Sequence, residues 1–180
     1  MAISADRRKK VLAILAGGAV LGVGAAITLA AWNDSEFATG TFTAGSFTFT
    51  GSVDGTNFSE HATEGAAAVL TFAVDADNMT PGDVVYAGYA LRVTGDYDAD
   101  LTHVAPVISG ANAANLTAAS VATATFGCDA AAFTGGTAVP TTMVAGTNVY
   151  LCLQVTAGAG LAQGDSGTIL WQWDAESTQP

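Results

Sequence analysis

Apolar and polar positions along most of the chain alternate with a period of two. Leu70, Phe72 and Val74 alternate with Thr71 and Ala73, and Tyr89, Leu91 and Val93 with Ala90, Arg92 and Thr94. Val149, Leu151, Leu153 and Val155 alternate with Tyr150, Cys152 and Gln154, and Ile169, Trp171 and Trp173 with Leu170 and Gln172. A strand with one buried face requires this alternation, because successive side chains point to opposite sides. Weaker strand signals lie at 41–50, 84–86, 101–108 and 121–126. Turn formers punctuate these runs at 51–55, Pro81-Gly82-Asp83, Gly95-Asp96, Gly135-Gly136 and Gly164-Asp165-Ser166-Gly167. About seven to nine short strands at this spacing predict an all-β fold, an antiparallel β-sandwich or jelly roll. The Ala-rich stretches 111–119 and 129–132 are expected to hold a helical turn or two.

The first segment follows a different pattern. Arg7-Arg8-Lys9-Lys10 precede Val11–Ala31, which carries no charged residue, and polarity returns at Trp32-Asn33-Asp34-Ser35-Glu36. This order of parts is that of a secretory signal peptide, so a hydrophobic helix is expected there, with the basic end staying inside and the rest exported. The apolar run exceeds the roughly 7–15 residues of an ordinary signal core and approaches the about 20 that span a bilayer, so an uncleaved membrane anchor is the rival. Its Ala and Gly content and its small terminal residues favour cleavage, after Ala31 or Ala30 and before Trp32. The chain then divides into a signal peptide (1–31), an N-terminal strand segment (32–50) and a β domain (51–180).

Charge sharpens the picture. Of the five basic residues only Arg92 follows residue 31, whereas of the sixteen acidic residues only Asp6 precedes it. Residues 32–180 therefore carry fifteen negative charges against one positive, a net of −14. Such a surface repels phosphate backbones and anionic headgroups, so no nucleic-acid partner is expected, and membrane contact only through the signal segment.

Cys128 and Cys152 are the only cysteines, and in an exported chain they are expected to pair as a disulfide. Closing a loop of about 25 residues stabilises a fold by roughly 3–3.5 kcal/mol on the chain-entropy account. The rival reading, a two-thiol metal site, lacks further soft ligands nearby.

Gly164-Asp165-Ser166-Gly167 looks like the nucleophile turn of trypsin-like proteases, but neither His61 nor His103 sits in a matching context, and a tight turn feeding the last strand is the simpler expectation. The pair of histidines has no metal-binding spacing. Asp96, Asp98 and Asp100 resemble the first half of a calcium loop, yet Leu101 and Val107 stand where that loop needs Gly and Glu, which leaves a weak calcium candidate. Asn-x-Ser/Thr sequons occur at Asn33, Asn57, Asn78 and Asn115. No catalytic residue, metal site or cofactor is assigned.

The basic cluster, the Gly/Ala-rich run and Trp32-Asn33-Asp34-Ser35-Glu36-Phe37, followed by Gly40–Gly45, resemble the SipW-type signal peptide of the bacterial TasA and camelysin group. Asn78–Asp83 with Leu91–Gly95, and Gly164–Trp173, resemble that family's Pro-Gly-Asp turn and closing strand, while 105–147 match poorly. The cysteine pair and the near absence of Lys depart from its best-known members. The resemblance implies cleavage by a SipW-type peptidase and a non-enzymatic jelly-roll subunit of the cell surface or of biofilm-matrix fibres. Its partners would be further copies or a related surface subunit, joined by donor-strand exchange. The donor would be the N-terminal segment with Phe37, Phe42, Phe47 and Phe49, a basic-free stretch that, left as an edge, invites pairing with a neighbour. The alternative for that segment is the first strand of its own sheet. Two other functions stand beside the fibre subunit: a camelysin-like zinc metalloprotease, and a monomeric envelope adhesin or binding module.

Overall fold

The computed structural model describes residues 5–28, 35–72 and 76–178, with the side chains of the N-terminal helix described as far as Leu21. The cleavage residues Ala30, Ala31 and Trp32, and Val74 of one expected strand, lie outside them. The chain forms two compact units, Met1–Phe42 and Thr43–Pro180.

The first unit contains α1 (Ala5–Thr28), which starts at the basic cluster and runs through the uncharged stretch. Its apolar residues surround the axis instead of forming a stripe, and Ile14, Leu15, Val20 and Leu21 are exposed. Among the described residues no helix is long and apolar enough to cross a membrane, the side-chain description of α1 ending at Leu21.

Among the described residues the second unit has seven strands: β1 (Phe47–Ser52), β2 (Val84–Gly95), β3 (Ala99–Ser109), β4 (Leu116–Thr123), β5 (Thr142–Met143), β6 (Asn148–Ala157) and β7 (Thr168–Ser177), with a short helix α2 (Ala130–Thr134). They form two antiparallel sheets, β1-β2-β6-β4 and β5-β3-β7. β2 and β6 occupy the centre of the first sheet because their alternation supplies apolar residues on one face throughout. Val85, Ala87, Tyr89 and Leu91 stand opposite Val155, Leu153, Leu151 and Val149 along the ladder.

A single core cluster draws on both sheets: Tyr89, Leu91, Val93, Leu151 and Leu153 from one, Ala99, Leu101 and Met143 from the other. Each fully buried Leu or Val stabilises the unit by about 1.5–3 kcal/mol relative to exposure. β3 and β7 slip by one residue between Val104 and Val107, where the bulge holds Pro106, a residue with no N–H to give a ladder. The burial phase of β3 changes just before it, from Ala99 and Leu101 to Val104, Pro106 and Ile108.

Three expectations need correction. Leu70 and Phe72 alternate in burial, but 67–72 is not a strand. Ala111–Ala119 is helical only as a 3-10 turn at Ala113–Asn115; from Leu116 it is β4, because pairing of Thr117–Ala119 with Thr156–Gln154 outweighs the helix preference of alanine. The strand expected over 41–50 begins only at Phe47 and folds onto β2 of its own sheet, with Phe49 opposite Val93.

Candidate functional site

A sheet edge offers unpaired N–H and C=O groups to any extended chain that approaches it. The two sheets end at β1, β4, β5 and β7. Gly51 of β1 exchanges two backbone hydrogen bonds with Ser59, both 3.0 Å, and Ala122 of β4 does the same with Thr137 at 2.8 and 2.9 Å. β5 is only two residues long. β7 differs from all three. Nine of its ten residues pair with β3 on one side, and among the described residues no other backbone hydrogen bond reaches Thr168–Ser177.

Trp171, Trp173 and Ala175 of β7 pack against the core, while Gln172, Asp174 and Glu176 are exposed. The Trp173 ring lies between Tyr89, 5.5 Å away and inclined by 22°, and His103, 5.8 Å away and inclined by 14°. Tyr89 Oη also lies 3.5 Å from His61 Nδ1, and burial pushes its phenol pKa up. The indole N–H groups of Trp171 and Trp173 are both buried without an acceptor. The backbone and the tryptophans of β7 thus both carry unused hydrogen-bonding groups, which native structures seldom leave buried.

Residues 67–72 reach this strand through Phe72. Ala68 and Leu70 pack on the core and the Phe72 ring is 6.4 Å from that of Trp171, whereas Val69 between them is exposed. Of the candidate donor residues, Phe47 and Phe49 are partly buried in β1 and pack against the core, whereas Phe37 and Phe42 lie outside any strand, each 95% exposed. The segment available to a neighbour is therefore 35–45, which precedes β1 and forms no strand, Ser46 being bonded to Asp96 of its own copy.

The remaining expected residues hold loops in place. Cys128 and Cys152 form a disulfide, Cα–Cα 4.9 Å, pinning the β4–β5 crossover to the central strand β6. Next to it Asp129 caps α2 by accepting from Ala132 N–H at 2.7 Å. Pro81-Gly82-Asp83 is a tight turn: Gly82 has φ +96°, and the Asp83 carboxylate accepts from the Thr80 N–H (2.7 Å) and Oγ1 (2.9 Å), which holds its pKa below the usual range.

Asp96, Asp98 and Asp100 do not act together. Asp96 accepts from Ser46 N–H and Oγ at 2.7 and 3.0 Å, Asp98 from Ala145 N–H at 2.8 Å, and Asp100 is exposed on β3 opposite Glu176. Among the described residues no three His, Cys, Asp or Glu side chains gather closely enough to hold a metal ion. The calcium candidate is not carried further.

The Gly164–Gly167 turn is latched by buried Asn112, whose Nδ2 donates to the Ala162 and Asp165 carbonyls, both 3.0 Å, and whose backbone N–H donates to the Ser166 carbonyl. Sequence reading missed the stack of Tyr89, Trp173 and His103 and the bare edge of β7. The histidines gave a signal only as isolated residues, because their neighbours come from other strands.

The chain matches no protein-family model, and no curated protein matches it at a significant level.

Proposed function

We propose that this is a non-enzymatic structural protein of the cell surface or extracellular matrix, a TasA-like fibre subunit exported under a SipW-type signal and released by that peptidase. The two sheets are proposed to pack as a jelly-roll sandwich, a reading supported by the core cluster that both supply. The observation that carries the proposal is the pairing of an offer with a need. Among the described residues the outer edge of β7 has no backbone partner, and residues 35–45 are a strand-length segment without a sheet. Strand addition joins such parts through main-chain hydrogen bonds, with alternate side chains setting the register. Within one copy the following residues are already committed to β1, so the segment serves a second copy.

The test is intact mass and sedimentation of the cell-derived protein, with and without reductant. The expected result is a released species beginning at Trp32 that gains two hydrogens on reduction and sediments as polymers. Deletion of 32–45 should leave it folded and monomeric. A full-length species confined to membranes, or a processed chain that stays monomeric at every concentration, would reject the proposal.

A further inference from the structure

We infer that Ala67–Phe72 is a displaceable flank of the β7 edge, which gives way when residues 35–45 of a second copy pair with that edge. The inference rests on the fibre-subunit reading and adds the event that opens the site.

The segment has a strand's side-chain pattern without a strand's bonds. Ala68, Leu70 and Phe72 are partly buried, while Ala67, Val69 and Thr71 between them are exposed. Val69 is 86% exposed, so a β-branched apolar side chain faces water where a sheet neighbour would cover it. Among the described residues the only loop hydrogen bonds here are Ala66 N–H to the Thr63 carbonyl and Ala67 N–H to the Glu64 carbonyl, both within a 3-10 turn. Among the described residues no backbone hydrogen bond reaches Ala68–Phe72. The flank is held by side chains alone: Ala68 and Leu70 on the core, Phe72 on Trp171 of β7.

An incoming strand has an advantage over this resident. It satisfies the unused N–H and C=O groups of β7, which the flank leaves unmet, and its apolar residues need only replace the contacts of Ala68, Leu70 and Phe72. Ser35–Gly45 has the length, eleven residues against ten in β7, and supplies Phe37, Ala38, Phe42 and Ala44. It carries one charge, at Glu36, so little desolvation of ions opposes docking. The β1 and β4 edges are shorter and each is interrupted by one bridge, to Ser59 and to Thr137.

The experiment combines hydrogen exchange and hydroxyl-radical footprinting on the chain from Trp32, with and without an excess of a synthetic peptide of the sequence 32–45. The expected result is at least about tenfold slower amide exchange in Thr168–Ser177, together with a severalfold rise in oxidation of Leu70 and Phe72. Slower exchange in β7 with unchanged or reduced oxidation of Leu70 and Phe72 overturns the displacement and leaves the fibre reading standing. No slowing in β7, with peptide or in polymers, overturns both. A second measurement is the affinity of the peptide for Leu70→Ser. Weakening the flank should tighten binding about tenfold, from loss of a partly buried leucine in the competitor. Unchanged or weaker binding by the folded variant counts against displacement, and the footprint on the unaltered chain decides the matter if that variant does not fold.

Discussion

Gly51 stands on the core face of β1 opposite Leu91, and the Tyr89 hydroxyl occupies the space that a Cβ at this position would fill. Two effects compete in Gly51→Ala. Alanine removes unfolded-state freedom and by that route stabilises by about 0.4–1 kcal/mol where the backbone tolerates it. Forcing a methyl into a filled core costs about 1–3 kcal/mol. The second effect dominates here, because Tyr89 is stacked on Trp173 and cannot swing aside without breaking that stack. Gly51→Ala should therefore lower Tm by several degrees and weaken the near-UV circular dichroism of the aromatic stack, whereas an unchanged or raised Tm would mean that Tyr89 moves freely. Gly95 makes a second demand of this kind: with φ +123° it sits where a side chain would meet the Ser46 carbonyl, so the β2–β3 turn closes onto the start of β1.

Among the elements, Asp100 of β3 and Glu176 of β7 are directly opposed in the ladder and both exposed. Like charges facing each other across a strand pair destabilise it, and no basic side chain follows Arg92 in sequence to relieve them. Glu176→Gln should raise Tm by on the order of 1 °C in 10 mM salt, and 1 M NaCl should largely abolish the gain. A gain that persists at 1 M would place its origin elsewhere. The register behind this prediction was not legible in the sequence, whereas the strands themselves largely were: β2, β6 and β7 follow the alternating runs because each buries one face. β4 was hidden because its alanines favour helix until β6 pairs with them. Leu70 and Phe72 misled for the opposite reason, since period-two burial reports which side chains face the core and says nothing about where the backbone bonds go. The bare edge of β7 could not be foreseen, because the number of neighbours a strand has is a property of the sheet. The candidate donor was legible as a segment, but its division at Phe47 depends on the pairing with β2.

At the scale of the whole molecule, each subunit of the proposed fibre would bring the net −14 of residues 32–180 to every encounter. The donor segment after Glu36 is uncharged, so the hydrogen-bonded contact itself adds little repulsion, but the bodies it joins repel one another. Repulsion over that range is screened by salt, with a Debye length of about 30 Å at 0.01 M and about 10 Å at 0.1 M. The chain from Trp32 should therefore polymerise faster, and from a lower concentration, as NaCl rises from 10 mM to 300 mM, followed by light scattering and sedimentation. The isolated peptide 32–45 has only Asp34 and Glu36 to be repelled, so its binding to β7 should vary much less across the same range. If subunit assembly and peptide binding respond equally to salt, the repulsion acts at the strand junction rather than between the bodies. If assembly slows as salt rises, an attraction between charged groups must drive it, and Arg92 is the single side-chain cation in 32–180 able to supply one. Its guanidinium lies over the Phe58 ring at 4.0 Å, so Arg92→Gln would then be the variant that separates the two cases.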